Sequence, residues 1–127
     1  MKNNINSNVE KWIDEIQLNK IRISDISWAE LYRGYAKLSD GKKKLDILTN
    51  LTRIEISFKQ QTLAFDTNCA KSYGRLSARN EKQGLAMEAF DSMLLAVAEN
   101  FDLAIVTRNL KHFKGRTKQM IINPFEV

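Results

Sequence analysis

The sequence predicts an α/β fold in which a mainly parallel sheet is covered by helices. Three observations carry this reading. Short apolar or alternating runs, the pattern of strands, recur between segments with helical periodicity. The chain has 127 residues with 43% hydrophobic and 28% charged, enough for one packed core and ordinary for a globular domain. A single proline and five glycines leave no linker or low-complexity stretch to divide it, so one domain over residues 1–127 is expected.

The first helix is expected over residues 8–18. Val9, Trp12, Ile13 and Ile16 recur at helical spacing, and Ser7 or Asn8 can cap the start. Residues 20–24 alternate and predict a strand. Ser27 followed by Glu30 three residues later has the form of a capping box, predicting a helix over residues 27–37. Ser39-Asp40-Gly41 is a turn. A long helix over residues 42–59 follows, with apolar positions at Leu45, Leu48, Ile54 and Phe58 and a basic first turn, Lys42-Lys43-Lys44, that opposes the helix dipole. Residues 62–65 form a short strand, and Asp66 or Thr67 can cap the next helix. That helix reaches about residue 84, with Cys69, Tyr73 and Leu76 inward. The most hydrophobic helix is expected over residues 86–100, then a buried strand at 103–107. A loop with one helical turn at 108–113 leads to a last strand at 118–122, closed by Asn123-Pro124.

Bulk properties narrow the function classes. The apolar runs are far shorter than the roughly 20 residues needed to span a bilayer, and Met1-Lys2-Asn3-Asn4-Ile5-Asn6 has no apolar signal core, so a cytoplasmic protein is expected, with no membrane partner. The single cysteine, Cys69, has no nearby His or second Cys and reads as a small buried helix residue rather than a zinc ligand. The formal net charge of +5 suits a polyanion or an acidic partner, although lysine-rich composition alone also produces it.

Asp91 breaks the pattern of the apolar helix. A carboxylate in such a segment is costly unless it is paired, hydrogen-bonded or bound to a metal, and breaks of this kind gather at functional sites. In a parallel α/β fold the ligand lies beyond the carboxyl ends of the strands. Thr107-Arg108-Asn109 lies at one such end and Ser24-Asp25 at another, just ahead of Glu30. Acidic and amide oxygens from Asp91, Glu30, Asn109 and Thr107 suit a hard divalent cation, Mg2+ or Mn2+. Such an ion activates water and neutralises a phosphodiester transition state. Arg108, Arg33, Lys37, Arg75 and Arg79 are candidates to hold the phosphates of a long anionic substrate.

Each of these residues also has a plainer use. Asp91 can face solvent or pair with Arg79 or Lys82. Glu30 can be a capping acid, or both cap and ligand. Glu88, three residues before Asp91, can be an auxiliary or a solvated acid, and Asn109 can end the strand turn. His112, the only histidine, reads as a surface residue. Trp28, Tyr32 and Tyr35 at helical spacing read as core or as an interface groove.

Ser27-Trp28-Ala29-Glu30-Leu31-Tyr32-Arg33-Gly34 resembles the first acidic helix motif of PIN domains, and more narrowly of the VapC-type toxins of bacterial toxin–antitoxin pairs. Phe90-Asp91-Ser92-Met93-Leu94-Leu95-Ala96 resembles their second acidic helix. Leu103-Ala104-Ile105-Val106-Thr107-Arg108-Asn109 with Phe113 and Ile122-Asn123-Pro124-Phe125 resembles their ending. The ordered set covers nearly the whole chain. The resemblance implies a three-layer α/β/α sandwich and a metal-dependent ribonuclease site. Glu30 stands at the second family acid and Asp91 at the third. Asn109 stands at the fourth position, where the family uses Asp or Asn. His112 stands where many relatives have an acid. The implied partners are RNA, a small cognate antitoxin and a second copy of the chain.

The family's fold opens with a strand ending in Asp-Thr-Asn, whose Asp is a metal ligand. Met1 to Asn8 resembles the stretch that follows it, so that first strand and its acid are expected to be missing. Asp66-Thr67-Asn68 spells the same tripeptide but falls at an ordinary helix start and reads as a cap. Two functions from different classes therefore stand side by side: a Mg2+-dependent endoribonuclease toxin, and a catalytically inactive PIN-like module that binds antitoxin or RNA.

Overall fold

The computed structural model describes residues 7–125. In chain order the elements are α1 (Ser7–Glu15), β1 (Ile23–Ser24), α2 (Asp25–Ala36), α3 (Lys42–Ser57), β2 (Thr62–Leu63), α4 (Thr67–Lys82), α5 (Ala89–Phe101), β3 (Ile105–Val106), α6 (Leu110–Phe113) and β4 (Ile121–Ile122). They group into two compact units, Arg22–Phe65 on the one hand and Met1–Ile21 with Asp66–Val127 on the other. The stretch Met1 to Asn6, on which the expectation about the opening strand partly bears, lies outside the described residues.

The unit Arg22–Phe65 is a parallel strand pair with a two-helix crossover. Ile23 lies opposite Thr62 and Ser24 opposite Leu63. Parallel strands cannot be joined by a tight turn, so α2 and α3 carry the chain back. The helix begins directly at the strand end. Ser24, still extended, accepts a hydrogen bond from the Ile26 backbone N–H at 3.0 Å. This corrects the expected capping box. Ser27 lies inside α2, because the earlier serine already satisfies an orphan donor of the first turn, and Glu30 falls in the second turn with its side chain exposed. Gly41 precedes α3 with φ 148, a backbone angle glycine alone takes without strain. Lys42 pairs with Asp46 at 2.9 Å and Lys44 with Asp40 at 3.5 Å, which sets an acid beside two of the three lysines at the positive end of α3. The inward face of α3 also differs from expectation. Leu51 is its buried residue, whereas Leu45 is 65% exposed.

In the other unit the core is α4 packed on α5. Cys69, Ser72, Leu76 and Asn80 form one buried stripe of α4, the expected inner face with Tyr73 half-buried beside it. From α5 come Leu95, Ala96, Val97 and Ala98, four consecutive buried residues, as in a helix covered on several sides. Burial pushes the Cys69 thiol pKa up, the behaviour of a packing residue rather than a reactive one. Asn8 of α1 reaches the Phe125 carbonyl at 2.6 Å and ties the first helix to the C-terminal turn. β3 and β4 pair in parallel, Ile105 opposite Ile121 and Val106 opposite Ile122, with α6 in the connection.

All four strands are shorter than their apolar runs, and at three of them, β1, β3 and β4, local hydrogen bonds take N–H groups that would extend the ladder. The Leu103 N–H closes the end of α5 on Ala98 O at 2.8 Å instead of joining the ladder. The Gln119 N–H is taken by the Thr117 hydroxyl. Lys20 and Ile21 donate into a 3-10 turn over residues 18–20. Among the described residues no helix is long and apolar enough to cross a membrane.

Asp66 caps α4, as expected, accepting from the Cys69 backbone N–H at 3.0 Å. That bond holds its carboxyl below the ordinary pKa. A carboxylate whose folded pKa is depressed contributes stability above its unfolded pKa and loses it as pH falls through the folded value. The cap contribution is thus expected to be complete above about pH 4 and to decline below it. Thermal unfolding of the native chain and of Asp66→Ala between pH 2 and 7 checks this: the gap between the two should close as acid is added. A gap independent of pH would refute the cap.

Candidate active site beside the end of β3

The helix holding Asp91 starts three residues later than its apolar pattern suggests. Glu88 is extended, at φ −60 and ψ 147, and stands at the N-cap of α5. It therefore does not share a helical face with Asp91, and is exposed. Asp91 lies in the first turn with its side chain 21% exposed. It sits at the rim of the core, not in its middle. The free N–H groups of a first turn favour a negative charge there, so the helix tolerates this acid better than its apolar neighbours suggest.

The partner of Asp91 is His112. The His112 Nδ1 lies 3.1 Å from Asp91 Oδ2. A ring protonated on Nδ1 donates to the carboxylate. Arg79, the partner considered from the sequence, is instead held by Glu99 at 3.0 Å and by the Arg116 carbonyl at 2.8 Å.

Short-range bonds position His112. It lies in α6, the single helical turn expected at 108–113, whose end residue Phe113 is 2% exposed and anchors the turn in the core. The His112 backbone N–H donates to the Asn109 carbonyl at 3.0 Å. The Asn109 backbone N–H in turn donates to the Thr107 hydroxyl at 3.0 Å. Thr107, Asn109, His112 and Asp91 thus form one connected series. The Asn109 side chain makes no capping bond to α6 and is exposed. The Arg108 guanidinium lies 4.6 Å from the centre of the Phe125 ring, a cation–π contact that orients it.

Of the residues singled out from the sequence, Asp91, Thr107, Arg108 and Asn109 belong to this unit, and Glu30 and Arg33 to the other. Both of the latter are exposed on α2. In that unit Trp28 is buried, and it continues through Tyr32 to Tyr35 with ring centres 6.0 and 6.2 Å apart. Lys44 lies over Tyr35. The Tyr32 hydroxyl donates to Glu55 at 3.0 Å, which pushes its pKa up. These aromatics are occupied with one another rather than presented as a stacking platform.

His112 is exposed, as expected of a surface residue, but its pairing with Asp91 was not foreseen from the sequence. The available signal was its place in the resemblance, where many relatives carry an acid shortly before the phenylalanine that stands here as Phe113.

Among the described residues no three or more His, Cys, Asp or Glu come together to hold a metal ion. A magnesium ion is nonetheless commonly bound through one or two carboxylates, with water and substrate phosphate completing its shell. Asp91, a partly exposed carboxylate in the first turn of α5 and linked through His112 and Asn109 to the residues that follow β3, fits such an ion.

The PIN domain family model matches residues 3–116. The chain is 33% identical to the plasmid stability protein StbB of Pseudomonas syringae pv. tomato, over 95% of this chain and 87% of that protein. It is 30% identical to the toxin FitB of Neisseria gonorrhoeae, over 85% and 78%. It is 34% identical to ribonuclease VapC2 of Rickettsia felis, over 87% and 81%. The crystal structure of FitAcB from Neisseria gonorrhoeae superposes with a TM-score of 0.89 at 28% identity, covering 99% of this chain and 91% of that one. Helices joined by short parallel strand pairs, an acid at the head of α5 and a family match over most of the length agree: the chain belongs to the PIN-domain family.

Proposed function

We propose that the chain is the ribonuclease toxin of a toxin–antitoxin pair, hydrolysing RNA phosphodiesters with the help of Mg2+ or Mn2+ and working in the cytoplasm. The observation that carries this reading is the half-buried Asp91 carboxylate beside the end of β3, oriented by His112. Relatives called a ribonuclease and a toxin support it.

In this reading, as the family resemblance implies, Asp91 and Glu30 would each bind the ion directly or through water. When bound, the ion lowers the pKa of water and offsets charge on the phosphate. The chain's own residues do the remainder. Asn109 and Thr107 hold and orient water at the strand end. Arg108, steadied on Phe125, and Arg33 neutralise substrate phosphates. A cognate antitoxin and a second copy of the chain are the proposed protein partners.

Purified protein incubated with single-stranded RNA tests the proposal. Cleavage should require the divalent ion, stop with chelator, fall in Glu30→Gln by about tenfold or more, and stop when antitoxin is added. A second reading, a PIN-like module that binds antitoxin or RNA without cutting, is favoured by the lack of a three-donor cluster among the described residues. Ion-independent background cleavage, unchanged in Glu30→Gln, together with antitoxin binding would select that second reading.

A further inference from the structure

We propose that His112 is itself a ligand of the divalent cation, so that the site is a mixed nitrogen and oxygen site preferring Mn2+ over Mg2+. This rests on the reading above that an ion is held at Asp91.

The first argument is spacing. Nδ1 of His112 and Oδ2 of Asp91 stand 3.1 Å apart. Two neighbouring ligands on an octahedral ion with bonds of about 2.1 Å stand about 3.0 Å apart. The pair therefore has the separation of two adjacent ligands, and turning the ring off the hydrogen-bond line would aim Nδ1 at a shared ion without moving either backbone.

The second argument is preorganisation. Asp91 is fixed by the first turn of α5, and His112 by a turn whose Phe113 is buried and whose backbone is bonded to Asn109. Little ordering remains to oppose binding.

The third argument concerns the proton. A neutral imidazole carries its hydrogen on either nitrogen. With the hydrogen on Nδ1 the ring bonds to Asp91. With it on Nε2 the Nδ1 lone pair is available to a metal. The ring is 40% exposed, so water can serve the protonated nitrogen and no donor is buried unpaired. The switch needs no net gain or loss of a proton.

Ligand chemistry then sets the preference. Magnesium takes oxygen ligands and rarely imidazole, whereas imidazole suits transition-metal ions. A carboxylate at residue 112, as the resemblance gives for many relatives, would favour the harder ion. His112 would reverse that choice.

Pulsed electron paramagnetic resonance of Mn2+ added to the full chain provides the direct test. Nitrogen coupling to the bound ion is expected, and should vanish in His112→Ala and His112→Asp while circular dichroism remains native. In competition titrations the wild type should favour Mn2+ over Mg2+ by about tenfold or more, and His112→Asp should reduce that ratio by about tenfold. Mn2+ bound without nitrogen coupling, and lost in Asp91→Ala, would overturn the role of His112 and leave the Asp91 reading standing. Mn2+ binding that survives unchanged in Asp91→Ala, or no binding at all, would overturn both.

Discussion

Replacing Asp91 by Ala is expected to lower cleavage of single-stranded RNA by about a hundredfold or more, the scale seen when a charged group serving the transition state is removed. The fold should survive. Asp91 sits in the first turn of α5 with part of its side chain in water, so truncation opens no sealed cavity. What is lost is one negative charge in the first turn of α5 and the acceptor for His112. Asp91→Asn separates these effects. It keeps an oxygen near His112 but removes the charge that an ion requires. Both variants should therefore be similarly slow, with circular dichroism and Tm close to native. If Asp91→Asn retained native cleavage, charge would be irrelevant and the ion reading would fail. If native chain and Asp91→Ala were equally active, the enzyme reading would fail with it.

Leu95→Ala should instead leave the chemistry in place and remove stability, by about 2–5 kcal/mol, the range for a buried leucine truncated in a core that relaxes only partly. Leu95 has no exposed surface and lies on α5, whose principal packing partner is α4. For a chain of this length that loss lowers Tm on the order of 10 °C. Leu45→Ala is the matched control. Leu45 is 65% exposed on α3, so its truncation should change stability by less than about 0.5 kcal/mol. Urea unfolding monitored by circular dichroism measures both. Equal losses in the two variants would contradict the burial pattern.

The pairing of these leucines shows how far the sequence could be read. Leu95 belongs to an unbroken apolar segment, and any folded arrangement must bury it. Leu45 belongs to the sparser set Leu45, Leu48, Ile54 and Phe58, and the choice of Leu51 over Leu45 depends on what α3 meets. Capping shows the same division. Asp66 and Thr67 both stood at the start of the same helix, so the cap's place was visible from the residues and only the choice of Asp66 was left to the structure. Ser24 and Ser27 both precede an apolar helix, and the choice fell to Ser24 because β1 runs straight into α2. Strand lengths were misread because apolar content says where a strand can form. It does not say which N–H groups are taken first by a neighbouring turn, as at Leu103 and Gln119.

The sequence by itself determined the α/β class, the order of helices and strands, the core of α4 and α5, and Asp91 as the acid out of place. These follow from periodicity, composition and ordered motifs, all of which are local properties. Tertiary structure alone decided that Asp91 stands at the rim of its helix and that His112, 21 residues away, is its partner. No periodicity relates two residues at that separation. Their meeting depends on where β3 and α6 return the chain beside the head of α5, which is a consequence of packing.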